Sequence, residues 1–271
     1  MKTAISFLIG MLICFASMAQ QPFSYPLAPD ASPSQEVYRV LQDEADYIWI
    51  GCNAGLFRYD GDSFKKYLNS EMSGRAVSNL EIDPFGRLWC GTFTGQLLFV
   101  ENDNLKLFVD WSDRETQFPS FVTAENEIWI TSDNGLYHLP FDGETVSHTV
   151  PNVATQNTEN VFKTTNSEVF AYSNHNGFYR FNQAENSLQK LDVPKELATY
   201  LEGRAHFIEW NQKLTALWQR NSDGKAVWIE ILNNRIVPSN AFDTRAITSR
   251  VNRVSADENN RVWVCTNAGA I

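Results

Sequence analysis

The chain has 271 residues, of which 22 are basic and 32 acidic, so its formal net charge is −10 at pH 7. A nucleic-acid-binding surface needs a basic stripe that releases counterions from phosphates, and this composition argues against such a partner. Aromatic residues make up 13% of the chain and include 8 tryptophans.

Residues 1–19 are predicted to be a signal peptide. Lys2 gives a positive start, an apolar stretch runs from Ala4 to Phe15, and a small-residue cleavage site ends at Ala19. This stretch is too short to span about 30 Å of hydrocarbon. The sequence therefore predicts an exported chain in the periplasm or cell envelope. Residues 20–35, rich in proline and uncharged polar residues, are predicted to be an extended lead-in.

From residue 36 onwards a tryptophan recurs in short apolar runs, and a glycine follows it six residues later. One copy carries phenylalanine instead of tryptophan, with one inserted residue before the glycine. The period between the first four copies is 40, 40 and 41 residues. Periods of about 40 to 50 residues that contain several strand-like runs are typical of β-propeller blades. The repeat residues are Trp49, Trp89, Trp129, Phe170 and Trp263.

The predicted fold is all-β: a β-propeller of four-stranded antiparallel blades, about five blades plus a partial sixth, which together form an incomplete ring. The predicted blades are residues 36–75, 76–117, 118–158, 159–203, 204–248 and, in part, 249–271. Blade five lacks the tryptophan motif, and the sequence stops within blade six. Because an open blade leaves backbone and apolar groups uncovered in water, we expect a fragment of a longer protein.

The five repeat residues are predicted to be structural core residues, because a strand covered on both faces by neighbouring blades is continuously apolar. Residues 47–50 and 262–265 have this character. Turn-forming residues precede each tryptophan by three positions and favour tight hairpins. The blades should therefore stack face to face with the tryptophans between them.

Three cysteines lie after the predicted signal peptide: Cys52, Cys90 and Cys265. They lie three, one and two residues after the tryptophan of their repeats. Because side chains alternate along a strand, Cys52 and Cys90 are expected on equivalent faces of neighbouring blades and not opposite each other. All three are predicted to be buried thiols. The Cys-x-x-Cys and histidine spacings of metal sites are absent, so no metal or cofactor is predicted.

The segment QDEADYIWIGCNAGLFRYDG, residues 42–61, closely resembles the two-component regulator propeller repeat. The resemblance covers about residues 36–271. It is strong in blades one to three and six, weak in blade four and absent in blade five. The Trp-Asp dipeptides of WD repeats and the paired glycines of kelch repeats do not occur at these positions.

Proteins of this family are typically large envelope sensors, with an exported propeller of many blades, a β-sandwich, one membrane helix and a cytoplasmic histidine kinase. The resemblance implies a periplasmic ligand-sensing portion of such a signal-transduction protein. It also implies that the chain meets the membrane only through C-terminal parts absent from these residues, and that it dimerises only as the full-length sensor. Residues 1–271 contain no phosphoacceptor or ATP-binding region, so no enzyme activity is expected in this chain.

No catalytic residue is predicted, since a Gly-x-Ser-x-Gly elbow, a phosphate-binding glycine-rich loop and a His-Glu-x-x-His motif are all absent. If a ligand binds, propeller geometry favours the turns between the second and third strands, which gather at one mouth of the ring. The predicted ligand-binding residues are Asn53, Phe93, Thr94, Asp133, Asn134, His175, Asn176 and Asn267. Amides with an aromatic ring suit a polar, saccharide-like ligand from the periplasm or the medium.

Two alternatives stay open. An exported propeller enzyme acting on polysaccharide, such as a glycosidase or lyase, would need paired carboxylates or an arginine cluster at the ring axis. The predicted innermost strands offer Arg39, Glu81 and Glu209 for that role. The second alternative is a stand-alone binding module.

Overall fold

Short antiparallel sheets, each made of strands consecutive in the chain, account for nearly all regular structure in the computed structural model. It describes residues 33–34, 36–111, 120–123, 127–132, 135–140, 158–174, 176–185, 187–257 and 259–271. Chain contacts divide the protein into Met1–Gln35 and Glu36–Ile271, and every strand named below belongs to the second unit. The predicted signal peptide, and the lead-in apart from Pro33 and Ser34, lie outside the described residues.

Blades one to three contain the first eleven strands. Blade one has β1 (Val37–Gln42), β2 (Ile48–Cys52), β3 (Gly55–Tyr59) and β4 (Phe64–Tyr67). Blade two has β5 (Val77–Ile82), β6 (Leu88–Thr92), β7 (Gln96–Glu101) and β8 (Asn104–Asp110). Blade three has β9 (Ser120–Thr123), β10 (Glu127–Ser132) and β11 (Gly135–Pro140).

Blades four to six follow the same strand order. Blade four has β12 (Thr158–Lys163), β13 (Val169–Ser173), β14 (Gly177–Asn182) and β15 (Ser187–Lys190). Blade five has β16 (Arg204–Trp210), β17 (Lys213–Gln219), β18 (Ala226–Leu232) and β19 (Arg235–Ser239). Blade six has β20 (Val251–Ala256), β21 (Val262–Thr266) and β22 (Gly269–Ala270). Short 3-10 helices lie at Lys195–Tyr200 and Thr244–Ala246.

The first strands of the blades, β1, β5, β9, β12, β16 and β20, contact one another in chain order. They form the inner edge of a propeller ring of six antiparallel sheets, which confirms the predicted all-β propeller fold. No helix in the described part of the chain has the length and apolar character needed to cross a membrane.

Each blade has two different faces. The tryptophan side chain packs on the next blade along the chain, whereas the following residue packs on the preceding blade. Trp89 shares an apolar cluster with Ile130 of blade three, while Cys90 shares one with Trp49 of blade one. The side chains of four repeat residues are at most 4% exposed: Trp49, Trp89, Trp129 and Phe170. This packing buries the tryptophan strand on both faces.

Trp263 and Cys265 differ from the prediction of buried side chains, since Trp263 is 44% exposed and Cys265 is exposed. Both lie on the same face of β21. In the other blades this face, which we call the forward face, packs on the next blade along the chain. In blade two, Phe99 and Phe108 pack on Trp89 with ring centroids 4.8 and 5.0 Å away. Among the described residues, no aromatic ring packs on Trp263 in this way, so this face has less cover.

We expect Cys265 to react with an aromatic disulfide reagent in the folded protein, while Cys52 and Cys90 do not. The Cys52 and Cys90 side chains are 0% exposed, and burial raises the pKa of the Cys90 thiol to about 12, which removes the reactive thiolate. Thiol titration of the chain from residue 20 onwards measures this. The Cys265→Ser variant should lose the fast phase, and a fast phase that survives this change would contradict the assignment.

An aspartate six residues before the tryptophan closes the hairpin between the first and second strands. Asp83 Oδ2 accepts hydrogen bonds from Trp89 Nε1 at 2.8 Å and from Arg87 Nε at 2.6 Å. Its Oδ1 accepts the backbone N–H groups of Phe85 and Arg87, both at 2.9 Å. The equivalent indole bonds join Trp49 to Asp43 at 2.7 Å and Trp263 to Asp257 at 3.1 Å. One carboxylate thus fixes both the turn and the core tryptophan.

Candidate functional site

A cavity of about 370 Å³ lies on the ring axis and is lined by the inner strands of all six blades. This volume is within the range of small-molecule sites, roughly 300–1,000 Å³. The lining residues are Tyr38, Arg39, Ser78, Asn79, Glu81, Phe121, Val122, Asn160, Val161, Phe162, Lys163, His206, Phe207, Asn252, Arg253 and Val254. Polar and charged side chains therefore come together from segments more than 200 residues apart in the sequence.

A one-residue irregularity in strand pairing recurs in the inner strands of four blades. In β1 the pairing with β2 skips a residue between Val37 and Arg39, and β5, β12 and β20 do the same at the equivalent place. Such bulges redirect side chains and are frequent beside functional sites. The residues that follow them are Arg39, Asn79, Asn160 and Arg253. All four line the axial cavity.

The cavity lining contains three cations and one carboxylate among the described residues. The cations are Arg39, Lys163 and Arg253, and the carboxylate is Glu81. None of the three cations takes part in an ion pair found in the described ranges. Arg39 Nε is buried and has no hydrogen-bond partner there. The axis is thus locally cationic in a chain whose net charge is −10.

His206 contributes a neutral imidazole to the cavity. Burial lowers the pKa of His206 to about 4, and the positive charges of Arg204 and Arg250 act in the same direction. Its Nε2 atom is buried and has no hydrogen-bond partner among the residues that the structure describes. A neutral imidazole has one donor and one acceptor nitrogen, so His206 can still offer one polar contact to a ligand.

Glu81 is the one carboxyl group among the described residues that line the cavity. Burial raises the pKa of Glu81 to about 7, although the charge of Lys163 and a hydrogen bond with the Thr123 backbone act the other way. Burial thus disfavours the charged form of Glu81. Even when ionised, this carboxyl group offsets one of the three positive charges of the described lining.

The predicted ligand-binding residues that the structure describes lie in turns beside the start of the inner strands. The Asn53 N–H donates to the carbonyl of Glu36, directly before β1, at 3.2 Å, and the Asn267 N–H donates to the carbonyl of Arg250, directly before β20, at 3.0 Å. The Asn53 side chain also donates to Glu36 Oε2 at 3.3 Å. These turns and the start of the inner strands form one end of the cavity, which we call the turn mouth.

Two of the predicted residues contact the cavity lining directly. The Phe93 ring, 50% exposed, meets the Tyr38 ring edge-on with centroids 5.1 Å apart. The Asn267 Oδ1 atom accepts a hydrogen bond from Asn252 Nδ2 at 2.9 Å. Since Tyr38 and Asn252 both line the cavity, the turn mouth and the cavity are parts of one site.

Other predicted residues hold their own turns. The Thr94 hydroxyl is within hydrogen-bond distance of Ser73 Oγ at 3.0 Å and of Thr92 Oγ1 at 2.9 Å. The Asn176 side chain donates to Ser173 Oγ at 3.3 Å. The remaining predicted residues, Asp133, Asn134 and His175, lie outside the described residues.

Arg39 and Glu81, expected at the axis from the sequence, line the cavity, but Glu209 does not. The Glu209 carboxylate instead accepts hydrogen bonds from the Thr165 N–H at 2.8 Å and from the Thr165 hydroxyl at 2.7 Å, which joins blades five and four. Sequence reasoning missed Lys163, His206, Arg253 and three asparagines of the lining: Asn79, Asn160 and Asn252. All of them are polar residues of the first strands, but the first strands contain other polar residues too, and the bulges that redirect side chains are not visible in a sequence.

The described residues contain no group of three or more His, Cys, Asp or Glu side chains that could hold a metal ion. What the cavity offers instead is hydrogen bonding and positive charge. Carboxamides, guanidinium groups and a neutral imidazole can position a polar molecule without covalent chemistry.

No protein-family model matches the chain, and no curated protein does. Among solved structures, the fold is similar to virginiamycin B lyase from Staphylococcus aureus, with a TM-score of 0.66 and 14% identity over 86% of this chain and 78% of that one. It is also similar to the extracellular domain of the hybrid two-component system BT3049 from B. thetaiotaomicron, with a TM-score of 0.66 and 15% identity over 91% of this chain.

A second extracellular domain, that of the hybrid two-component system BT4673 from B. thetaiotaomicron, has a TM-score of 0.59 and 18% identity over 92% of this chain. The chain spans only 34% and 39% of the lengths of the two extracellular domains. The structural neighbours of this propeller thus include extracellular domains of two-component systems as well as a lyase.

Proposed function

We propose that this chain is the ligand-sensing β-propeller portion of an exported, periplasmic sensor of the two-component type, whose histidine kinase lies outside residues 1–271. Three features support the proposal: the leader-like residues 1–19, the propeller repeat, and the similarity to two extracellular domains of hybrid two-component systems. Each neighbour is less than 20% identical to this chain. At this identity the similarity supports the fold alone, so the function has to be argued from the residues of the site.

The observation that carries the proposal is the set of polar groups around the axial cavity. Buried polar groups with a purely structural role are almost always hydrogen-bonded. Here Arg39 Nε and His206 Nε2 lack such partners among the described residues, and both residues line one cavity of ligand size. A bound molecule would satisfy these groups.

The glycosidase form of the enzymatic alternative has less support. Glycoside hydrolysis ordinarily uses two carboxyl groups that flank the scissile bond. The described lining of the cavity holds one, Glu81, and Glu209 is engaged by Thr165. A glycosidase therefore has less support than a binding site. Arg39 and Arg253 in the lining agree with the arginine cluster that a polysaccharide lyase would need, so a glycan test decides between binding and lyase turnover.

Cell fractionation of the source organism tests the sensor proposal. We expect the protein in the envelope or periplasmic fraction with a mature N-terminus at Gln20, read by mass spectrometry against a cytoplasmic marker enzyme. Recovery in the cytoplasm with residues 1–19 intact would contradict the proposal.

Incubation with a panel of soluble glycans tests the alternative. We expect a rise in the melting temperature with a bound member of the panel, because a ligand that binds only the folded chain stabilises it. We expect no release of new reducing ends. Release that Glu81→Gln abolishes, in a variant whose melting temperature is no lower than that of the wild type, would instead favour a polysaccharide-active enzyme.

A further inference from the structure

We propose that the axial cavity binds a small hydroxylated anion, a molecule with at least one carboxylate, sulfate or phosphate group. The inference rests on the proposed function in one respect, since it takes the cavity to be the ligand site. It adds the chemical class of the ligand.

The propeller repeat brings the two arginines to one level of the axis. Arg39 and Arg253 follow the strand irregularity in blades one and six, and Asn79 and Asn160 occupy the same repeat position in blades two and four. Equivalent positions in blades related by rotation about the axis lie at the same height. Two guanidinium groups and two carboxamides therefore surround the axis in a single layer.

Among the described lining residues the positive charge exceeds the negative charge, because Glu81 is the one carboxyl group beside three cations. Arg39 and Arg253 form no ion pair within the described ranges, and neither does Lys163, farther along the same lining. Guanidinium groups match oxyanions with paired N–H donors. Because the whole chain is acidic, with a net charge of −10, its general field repels anions. The electrostatic attraction for an anion must then come from the cations of the lining, Arg39, Arg253 and Lys163.

The remaining polar groups of the cavity suit hydroxyl groups. The Asn160 side chain donates to the Ala205 carbonyl at 2.6 Å, which leaves its amide oxygen as an acceptor, and His206 Nε2 is unpartnered among the described residues. At the turn mouth, Tyr38 and Phe93 form an exposed aromatic pair on which an apolar ring face can rest. An oxyanion with hydroxyl groups on a compact ring fits these features together.

Calorimetric titration of the purified protein tests the proposal. The probes are glucuronate, glucose 6-sulfate and glucose 6-phosphate, with glucose as the uncharged match and inorganic sulfate and phosphate as the bare anions. We expect at least one anionic sugar to bind about tenfold more tightly than glucose and than its bare anion, with affinity that falls between about 50 and 500 mM sodium chloride. The preferred probe identifies the oxyanion.

Two variants locate the site. We expect Arg39→Gln and Arg253→Gln each to weaken binding of the preferred probe by about tenfold or more. The matched control Arg235→Gln, on an outer strand away from the cavity, should bind as the wild type does. Melting temperatures verify that each variant is folded. If a variant does not fold, the salt dependence of binding by the wild-type protein still tests the proposal.

Several results would overturn the inference: glucose binding as tightly as the anions, affinity that is independent of salt, full binding by folded Arg39→Gln and Arg253→Gln, or no binding by any probe. Bare sulfate or phosphate that equals the sugars would overturn the hydroxylated part. The two proposals fail separately. Glucose binding in the cavity contradicts the anionic class but agrees with a sensor, whereas a cytoplasmic location contradicts the sensor and leaves anion binding intact.

Discussion

Replacing Asp83 with alanine should lower the free energy of unfolding by about 3 kcal/mol, because the change removes the acceptor of the buried Trp89 indole N–H and of three part-buried donors. Asp83 is 3% exposed and Trp89 is 1% exposed. The lost bonds are those from the Trp89 indole, the Arg87 guanidinium and two backbone N–H groups. Urea unfolding followed by tryptophan fluorescence measures the loss.

Asp257→Ala provides a matched control within the same chain. Asp257 makes the same set of bonds, to the N–H groups of Asn259 and Arg261, to the Arg261 side chain and to Trp263. Because Trp263 is 44% exposed, water can replace the lost acceptor, and we expect a clearly smaller loss of stability. Equal losses in the two variants would show that burial of the tryptophan does not govern the strength of this interaction.

Glu81→Gln should stabilise the protein in alkaline solution, by about 3 kcal/mol near pH 9, and change little near pH 4.5. The pKa of Glu81 is raised by burial from the ordinary 4.5 to about 7, so the folded chain holds this proton more tightly than the unfolded chain. The contribution of the group is fully present below about pH 4.5 and is lost as the pH rises through about 7. Glutamine is neutral throughout and avoids that loss.

Urea unfolding of both proteins at several pH values gives the difference curve. Glu185→Gln, at an exposed turn of blade four, serves as the control and should show no comparable rise. A Glu81→Gln protein that is less stable than the wild type at about pH 9 would mean that the carboxylate has a stabilising partner in the folded state.

The fold could be predicted from the sequence because its determinants are local. A period of about 40 residues, turn residues before each tryptophan and apolar second strands all act within one blade. Local repeat residues do not account for blade five, which forms four strands without the tryptophan motif. There Trp218, 0% exposed, fills the interface with blade four and donates its indole N–H to Tyr172 at 3.1 Å.

The site was predicted less completely because it is assembled from six distant strands. The turn-mouth residues could be named from the repeat, since they occupy equivalent turns. The cavity lining depends on which side chains the bulges redirect, and a bulge has no sequence signature here: Arg39 follows one, but nothing in the run VYRVLQ marks its place. The burial of Trp263 was predicted wrongly, since burial depends on what covers a strand and the repeat describes only the strand itself.

Because the two faces of each blade differ, every interface between neighbouring blades pairs a forward face with a rear face. Each such blade carries a tryptophan on its forward face and a smaller side chain, such as Cys90, on its rear face. A blade of this kind can therefore pack between two others of the same kind. A tandem duplication of one unit carries both halves of the interface with it. Propellers of this type can therefore change their number of blades during evolution without a new contact surface having to arise first.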